Sequence, residues 1–334
     1  MKVLVLAPRF HGYSKALADA MGARGHDVSL WHYDDLPTIR SKVHHKLRHE
    51  LPDRRGGTSG FTAIQKATTA SALEVVTAHR PDVLLVIKGD VLTADFWHDA
   101  KPHVGLRHLW LYDEVRRMRH GNGVFDAVDR LSTYSRLDQQ RLTASGQECG
   151  YVPNAFDAAL GDAARNAVHA FLFVGARYPN RADLLTHLNT RSVPVLAVGR
   201  DWSHHPYDRL RTWQWDRPPV PSRRDVSRRE AYGLMAGAIG NLNSHFDQDG
   251  FTMRTFEIPG MGGLQLIDRA DVSEFYEPDE EVLVYRSLDE LAELCHRAMR
   301  DRAWATSIGT RARRRTLAEH TFAQRVPLLE EQWA

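Results

Sequence analysis

One short segment, residues 249–263, combines the residue types that a phosphate-bearing ligand requires. Gly250 marks a turn, and Thr252 is expected to cap a helix that begins near Met253. Free backbone N–H groups at a helix start suit a diphosphate. Arg254 adds a permanent positive charge and a bidentate fork. These residues therefore indicate an anion site, although they would equally form an ordinary capped helix.

Glu257 follows Arg254 by three residues, which places both side chains on one face of the predicted helix. A carboxylate at this position can accept hydrogen bonds from the two hydroxyls of a ribose. The later glycines, Gly260, Gly262 and Gly263, permit a close approach of the backbone. Two interpretations stay open: a nucleotide site, or a helix with an internal ion pair and a glycine end.

Two loops of the second half follow predicted strands, at the edge where open α/β sheets bind ligands. The first begins at Gly175, and its Arg177 or Arg181 is expected either to reach phosphate or to pair with a nearby aspartate. The second begins at Gly199 and leads to Trp202. That indole is expected either to flank a nucleobase or only to cover the domain surface.

The first half offers a short polar turn, His11-Gly12-Tyr13-Ser14, directly after its first predicted strand. Gly12 lets the backbone approach a ligand closely. His11 or Ser14 can contact a sugar. The segment is not GxGxxG, so a dinucleotide site is not favoured.

Two acidic residues, Asp113 and Glu114, follow the predicted strand over residues 108–112. An aspartate at a carboxyl edge can deprotonate an acceptor hydroxyl as a general base. The competing interpretation is an ion pair with Arg116 or Arg117.

The elements that must position these residues alternate between short apolar runs and amphipathic segments. Residues 3–7, 28–31 and 83–87 predict buried parallel strands, and residues 14–21 and 62–78 predict helices. A second series begins at residue 170 and continues with strands near 193–199 and 237–243. This alternation predicts an α/β fold with two Rossmann-like domains.

Composition limits the classes of protein to which this chain can belong. Its 334 residues are comfortable for two domains, and 43% apolar content is ordinary for a globular protein. A net charge of +2 gives no global attraction to nucleic acid or membranes. Cys149 and Cys295 form no disulfide framework, and no apolar stretch approaches the ~18 residues of a membrane span. A cytoplasmic protein without membrane insertion is expected.

No metal site is predicted. His45 and His49 have a metal-compatible spacing on a helix, but they lack an HExxH pattern and have basic neighbours. They belong to a basic run over Arg40–Arg55, and a second run covers Arg116–His120. Such runs are usually solvated faces, but they could also hold a polyanion through phosphate contacts.

Several motifs in combination resemble the C-terminal domain of CgeB-like glycosyltransferases, which have the GT-B architecture. The stronger motifs are Arg254–Glu257, Gly262–Gly263, Phe275–Glu281, Tyr285–Leu291 and His320–Arg325. Weaker matches are Phe173–Gly175 with Arg181, Gly199 with Trp202, and Trp110–Asp113. The resemblance covers nearly the whole chain.

The resemblance implies two domains facing across a cleft, with a nucleotide-sugar donor on the second and an acceptor mainly on the first. The expected ranges are 1–152, 153–315, and a helix over 316–334 that returns to the first domain. It also implies Glu257 as the ribose ligand. Related retaining enzymes carry a second glutamate eight positions earlier. Asp249 stands there, with a shorter carboxylate, and either takes that place or caps the turn.

The sequence therefore predicts a glycosyltransferase whose co-substrate is a nucleotide-diphosphate sugar, a UDP-sugar first, without another cofactor. The donor residues expected are Glu257, Arg254, Thr255, Met253, Thr252, Arg177, Arg181, Gly175, Gly199, Trp202, Asn243 and Asp249. The acceptor residues expected are Gly12, Tyr13, Ser14 and Glu114, with Asp113 or His11 as the base. The acceptor is a small molecule, a glycan or modified DNA. The competing hypothesis is a non-catalytic nucleotide-sugar or carbohydrate-binding protein on the same fold.

Overall fold

The computed structural model describes residues 1–34 and 59–334, which form two compact α/β units. Unit 1 comprises Met1–Pro153 and Ala323–Ala334, and unit 2 comprises Asn154–Phe322. The basic run Arg40–Arg55, with His45 and His49, lies outside the described residues.

Unit 1 contains a six-stranded parallel sheet within the described residues. Its strands are β1 (Lys2–Ala7), β2 (Asp27–His32), β3 (Val83–Ile87), β4 (Leu106–Leu111), β5 (Arg130–Thr133) and β6 (Cys149–Tyr151). Its helices include α1 (Tyr13–Ala23), α2 (Ser59–His79), α3 (Ala94–Ala100) and α4 (Arg136–Ala144). All five residues of β3 are buried, as expected for an apolar strand covered on both faces.

Unit 2 repeats this plan with a second six-stranded parallel sheet. Its strands are β7 (Val168–Val174), β8 (Val195–Val198), β9 (Ser222–Arg223), β10 (Ala238–Asn243), β11 (Gln265–Ile267) and β12 (Leu283–Val284). Its helices are α5 (Pro179–Thr190), α6 (Pro206–Thr212), α7 (Arg228–Gly237), α8 (Arg254–Gly260), α9 (Leu288–Arg300) and α10 (Arg302–Glu319). The predicted α/β class is confirmed.

In both sheets the first strand along the chain is an inner strand, and later strands are added on both sides of it. The strand order is β2-β1-β3-β4-β5-β6 in unit 1 and β12-β11-β10-β7-β8-β9 in unit 2. The order therefore reverses between β1 and β3, and again between β7 and β10. At such a switch point the two following loops diverge and leave a crevice at the carboxyl edge, where open α/β sheets bind ligands.

The last residues of the chain are part of unit 1, and the return begins at Ala323. α11 (Phe322–Glu330) ends at Glu330, whose carboxylate accepts a 2.9 Å hydrogen bond from Nε of Arg24. Trp333 donates its indole N–H to Nδ1 of buried His108 at 2.8 Å. Burial lowers the pKa of His108 to about 3, so its imidazole is neutral and can accept that hydrogen bond.

Within the described residues, none of the helices combines the length and apolar character that crossing a membrane requires.

Replacing Trp333 tests this C-terminal anchor. Trp333→Ala removes a nearly buried indole and leaves Nδ1 of His108 without its donor, so the free energy of unfolding should fall by about 3–5 kcal/mol. Urea denaturation followed by circular dichroism measures the loss. Trp333→Phe keeps most of the packing and should lose about 1–3 kcal/mol. Unchanged stability of Trp333→Ala would contradict the anchor.

Candidate functional site

The loops after β7 and β10 gather the predicted donor residues at the switch point of unit 2. Arg181, on α5, joins the two loops. Its guanidinium donates to the carbonyl oxygens of Ala176 at 3.2 Å and Ser244 at 3.0 Å. The arginine predicted to reach phosphate therefore also fixes the spacing between the carboxyl ends of these two strands.

The loop after β8 packs tightly against the loop after β7. A Cβ on Gly199 would lie 2.7 Å from the carbonyl oxygen of Gly175, so only glycine allows this approach. The indole N–H of Trp202 donates to the same oxygen at 2.9 Å. Trp202 is only 1% exposed and packs edge-on against Phe173. Its contact with a nucleobase stays a prediction.

Arg254 and Glu257 form the ion pair that their spacing predicts. Nε of Arg254 also donates to the carbonyl oxygen of Val174, the last residue of β7, at 3.2 Å. Tyr232, on α7, donates its hydroxyl to Oε1 of Glu257 at 3.1 Å. The Glu257 side chain has no exposed surface, whereas that of Arg254 is 25% exposed. Of this pair, the guanidinium alone offers surface to a ligand.

The predicted capping of this helix by Thr252 is wrong. α8 begins at Arg254, and its N-cap is Met253, which has helical backbone angles and makes no side-chain capping hydrogen bond. The backbone N–H of Thr252 instead donates to Nε2 of His245 at 3.3 Å.

A buried polar network supports the loop between β10 and α8. Asn243 donates from Nδ2 to Oγ1 of Thr255 at 3.1 Å and to Oε1 of Gln265 at 3.0 Å. Oγ1 of Thr255 also lies 3.2 Å from Nε2 of His245. Asn243 and Thr255 were expected to touch the donor, but both are buried and bind other side chains. They hold the loop that carries the exposed residues.

Asp268, directly after β11, anchors the same loop. Its carboxylate accepts hydrogen bonds from the Ser244 hydroxyl at 3.0 Å and from the backbone N–H groups of His245 at 2.9 Å and Phe246 at 3.0 Å. Burial opposes ionisation of Asp268, but hydrogen bonds from His245 and Phe246 outweigh it and lower its pKa to about 2. Burial also lowers the pKa of His245, which keeps that imidazole neutral.

Exposure divides the remaining predicted donor residues into two groups. Met253 is buried, like Glu257. Arg177, Arg181, Gly175, Gly199, Thr252, Asp249 and Arg254 keep partial exposure. Arg177 donates from Nη2 to Gln214 at 3.0 Å, and its Nε is buried without a hydrogen-bond partner among the described residues.

In unit 1, Asp113 lies just beyond β4, and its side chain is 34% exposed. Nζ of Lys88 is 3.8 Å from Oδ2 of Asp113 and 3.8 Å from Oδ2 of Asp90. His11, after β1, is exposed and has a φ of 47°, in the left-handed region that non-glycine residues rarely adopt. His11 and Asp113 are therefore both accessible at the carboxyl edge of this sheet.

Three expected acceptor residues of unit 1 are buried, and their contact with an acceptor stays a prediction. Ser14 lies 3.0 Å from Nε2 of His32, and Tyr13 is part of the core. Glu114 has no exposed surface and accepts hydrogen bonds from Arg116 at 2.7 Å and Arg117 at 3.1 Å. Glu114 therefore neutralises part of the basic run. Gly12, at φ 78°, keeps partial exposure.

Three further titratable residues lie near Asp113 and one another: Lys88, Asp90 and His120, of which only His120 belongs to a predicted feature, the second basic run. Burial lowers the pKa of His120 to about 4, although Asp90 opposes this shift. Both ring nitrogens of His120 are buried without a hydrogen-bond partner in the described part of the chain. In the sequence, Lys88 and Asp90 are marked only by their position just after the buried strand β3.

No group of three or more histidine, cysteine or acidic residues that could hold a metal ion occurs within residues 1–34 and 59–334.

Residues 159–331 match a family model described as Glycosyl transferase-like. No curated protein matches the sequence.

Solved structures share the fold over almost the whole chain. Sucrose-phosphate synthase (tll1590) from Thermosynechococcus elongatus has a TM-score of 0.64 and 12% identity, covering 99% of each chain. Anabaena Alr3699/HepE in complex with UDP-glucose has a TM-score of 0.65 and 13% identity, covering 99% of this chain and 98% of that chain. A glycosyltransferase from Rickettsia africae ESF-5 has a TM-score of 0.64 and 12% identity, covering 99% and 97%. The predicted GT-B fold is confirmed.

Asp268→Asn tests the anchor of the loop after β10. The substitution keeps the size of the side chain but removes the charge that accepts three hydrogen bonds, so the free energy of unfolding should fall by about 2–4 kcal/mol at pH 7. A carboxyl group with a depressed pKa stabilises the fold only when it is ionised. The difference between wild type and variant should therefore be full above about pH 4 and vanish towards pH 2.

Denaturant titrations between pH 7 and pH 2.5 measure this difference. Asp271→Asn is the matched control, because its carboxylate is 60% exposed and its ion pair with Arg269 should contribute less than about 1 kcal/mol. A difference for Asp268→Asn that does not change with pH would contradict the anchoring role.

Proposed function

The chain belongs to the Glycosyl transferase-like family, and from this premise we propose that it is a CgeB-like enzyme that transfers a sugar from a nucleoside-diphosphate donor to a hydroxyl-bearing acceptor. The observation that carries the proposal is the Arg254–Glu257 pair at the switch point between β7 and β10.

The donor diphosphate binds to the exposed arginines of this edge. Arg254 presents part of its guanidinium, and Arg177 has a buried Nε that lacks a partner among the described residues. Guanidinium groups bind phosphate through paired, charge-assisted hydrogen bonds. As the bond to the sugar breaks, negative charge grows on the leaving diphosphate. Arginines already in position stabilise that charge.

Glu257 becomes the ribose ligand when the donor draws Arg254 towards its phosphates. A diphosphate carries more negative charge than one carboxylate, so it competes for the guanidinium. The buried carboxylate then requires new hydrogen-bond donors, because an unpaired charge in the interior is costly. Two ribose hydroxyls supply them, while Tyr232 continues to donate to Oε1.

Uridine is the first base to test. The structure of Anabaena Alr3699/HepE, which has the same fold, is a complex with UDP-glucose. A UDP-sugar is accordingly the donor that we propose for this chain.

The acceptor binds to unit 1, where Asp113 is the proposed general base and His11 the second candidate. The Asp113 carboxylate is accessible and lies near the ammonium group of Lys88, at the edge where α/β sheets bind ligands. A small molecule or a glycan fits this edge better than modified DNA does. In the second basic run, Arg116 and Arg117 both pair with Glu114, which reduces their charge towards phosphates.

Glu257→Ala tests the donor site. We expect the affinity for UDP to fall by about 100-fold or more, because the hydrogen bonds that the carboxylate accepts from the ribose are lost. Isothermal titration calorimetry measures it. Glu293→Ala, an exposed glutamate on α9, is the matched control and should bind like wild type. Unchanged affinity for UDP in Glu257→Ala would refute the assignment.

A second comparison separates the two members of the pair. Arg254→Gln should weaken the binding of UDP but not that of uridine, because the carboxylate of Glu257, freed from Arg254, still accepts hydrogen bonds from the ribose hydroxyls. Glu257→Ala should weaken both ligands. Equal losses for uridine in both variants would contradict a separate ribose role for Glu257.

Asp113→Asn tests the base and separates an enzyme from a non-catalytic binding protein. Slow release of UDP from UDP-glucose, with water as acceptor, should fall by about 100-fold in this variant, because general bases typically contribute that much or more. UDP affinity should stay unchanged. Asp99→Asn, an exposed aspartate elsewhere in unit 1, is the control. If wild type binds UDP-glucose but releases no UDP, the binding-protein hypothesis replaces the enzyme.

A further inference from the structure

Four large apolar side chains stand exposed on and after α6. They are Tyr207, Leu210, Trp213 and Trp215, here called the aromatic patch, and each is between 54% and 61% exposed. Tyr207 and Leu210 are three residues apart on α6 and share one face of the helix. Trp213 and Trp215 continue directly from its end.

Exposed apolar side chains are more concentrated in the aromatic patch than elsewhere in the described residues. Ten large apolar side chains are strongly exposed among the described residues, and four of them lie within the nine residues of the patch. All eight tryptophans are described, and only Trp213 and Trp215 are in the exposed class. Singly scattered apolar residues need no explanation, whereas an exposed group of them marks an interaction surface.

Hydrogen bonds from the side chain of Arg217 fix the segment that carries the two tryptophans. Nη2 of Arg217 donates to Oγ1 of Thr212 at 2.8 Å, and its Nη1 donates to Gln214 at 3.1 Å. Arg217 also binds the backbone of the loop after β8, through the carbonyl oxygen of Asp201. Trp213 is held at φ 55°, a conformation that bulky residues adopt only when surrounding contacts impose it.

Positive charge surrounds the patch. Arg211 is exposed and lies four residues after Tyr207 on the same helix face. The guanidinium of Arg224 lies 5.6 Å from the centroid of the Tyr207 ring, and it pairs with Asp208, which has no exposed surface. Residues 203–225 contain five arginines and three aspartates. Arg217 and Asp208 are buried, which leaves four arginines against two aspartates. The exposed part of the surface is therefore net cationic.

We propose that the aromatic patch docks unit 2 on an anionic lipid bilayer. Tryptophan and tyrosine favour the boundary between headgroups and acyl chains, where the ring is in an apolar medium and its polar atom stays hydrated. Leu210 adds apolar area that enters the bilayer, and the arginines bind lipid phosphates. The chain thus attaches at the membrane surface, a property that goes beyond sugar transfer and does not depend on it.

A second protein copy or a glycan could also cover exposed tryptophans. The bilayer fits better because it alone accommodates the whole combination of protruding aromatic rings, a leucine and several surrounding arginines without a complementary surface of defined shape. The other two occupants are outcomes of the test.

Co-sedimentation with lipid vesicles tests the proposal. Wild type should bind vesicles of phosphatidylcholine with 30 mol% phosphatidylglycerol, roughly tenfold or more tighter than pure phosphatidylcholine vesicles, because several arginines contribute. The double variant Trp213→Ala/Trp215→Ala should lose roughly tenfold or more of that binding. Both positions are exposed, so the variant should stay folded, and circular dichroism checks this.

Matched pairs separate the patch from general surface properties. Leu210→Ala should weaken vesicle binding, and Leu317→Ala, an exposed leucine on α10, should not. Arg211→Gln should weaken binding to anionic vesicles about fivefold, and Arg314→Gln, an exposed arginine on α10, should have less effect.

Three results would overturn the proposal. The first is an absence of binding to anionic vesicles, or binding that the tryptophan double variant retains. The second is concentration-dependent self-association that the double variant abolishes, which would assign the patch to a second copy. The third is retention on immobilised polysaccharide without vesicle binding, which would assign it to a glycan.

Discussion

The pairing of β7 with β10 is the constraint on which the proposed donor site of unit 2 depends. These strands are separated by more than sixty residues of sequence, yet their parallel pairing brings both following loops to one edge. Arg181 then bridges the loops, and Arg254 reaches back to the end of β7. Without this pairing, the arginines would lie on separate surface loops and could not bind one diphosphate together, as the proposed function requires.

The buried carboxylate of Glu257 sets the electrostatics of this edge. A charge removed from water is tolerated only when it is paired and fully hydrogen-bonded. Arg254 and Tyr232 supply those bonds in the structure. The same requirement makes the site responsive to a ligand, because any anion that attracts Arg254 must bring replacement donors for Glu257. A nucleoside diphosphate carries both functions, phosphate oxygens and ribose hydroxyls, in one molecule.

Polar side chains serve two separate purposes in the two units. Asn243, Thr255 and Asp268 are buried and hydrogen-bonded, and they give the loop after β10 a defined shape. Arg254 and Asp113, to which the proposed function assigns chemical roles, keep partly exposed side chains. Such a division is physically expected, since a group whose hydrogen bonds are already made inside the protein has little left to offer a ligand.

By itself the sequence determined the α/β class, because continuous apolar runs such as Val83–Ile87 suit only strands covered on both faces. It also determined the Arg254–Glu257 pair, since a spacing of three residues on a helix is a local property. Only the tertiary structure decided which predicted residues are accessible. In the folded chain Trp202 and Ser14 are buried, and Tyr232 donates a hydrogen bond to Glu257. Burial and distant contacts depend on how segments far apart in sequence pack together.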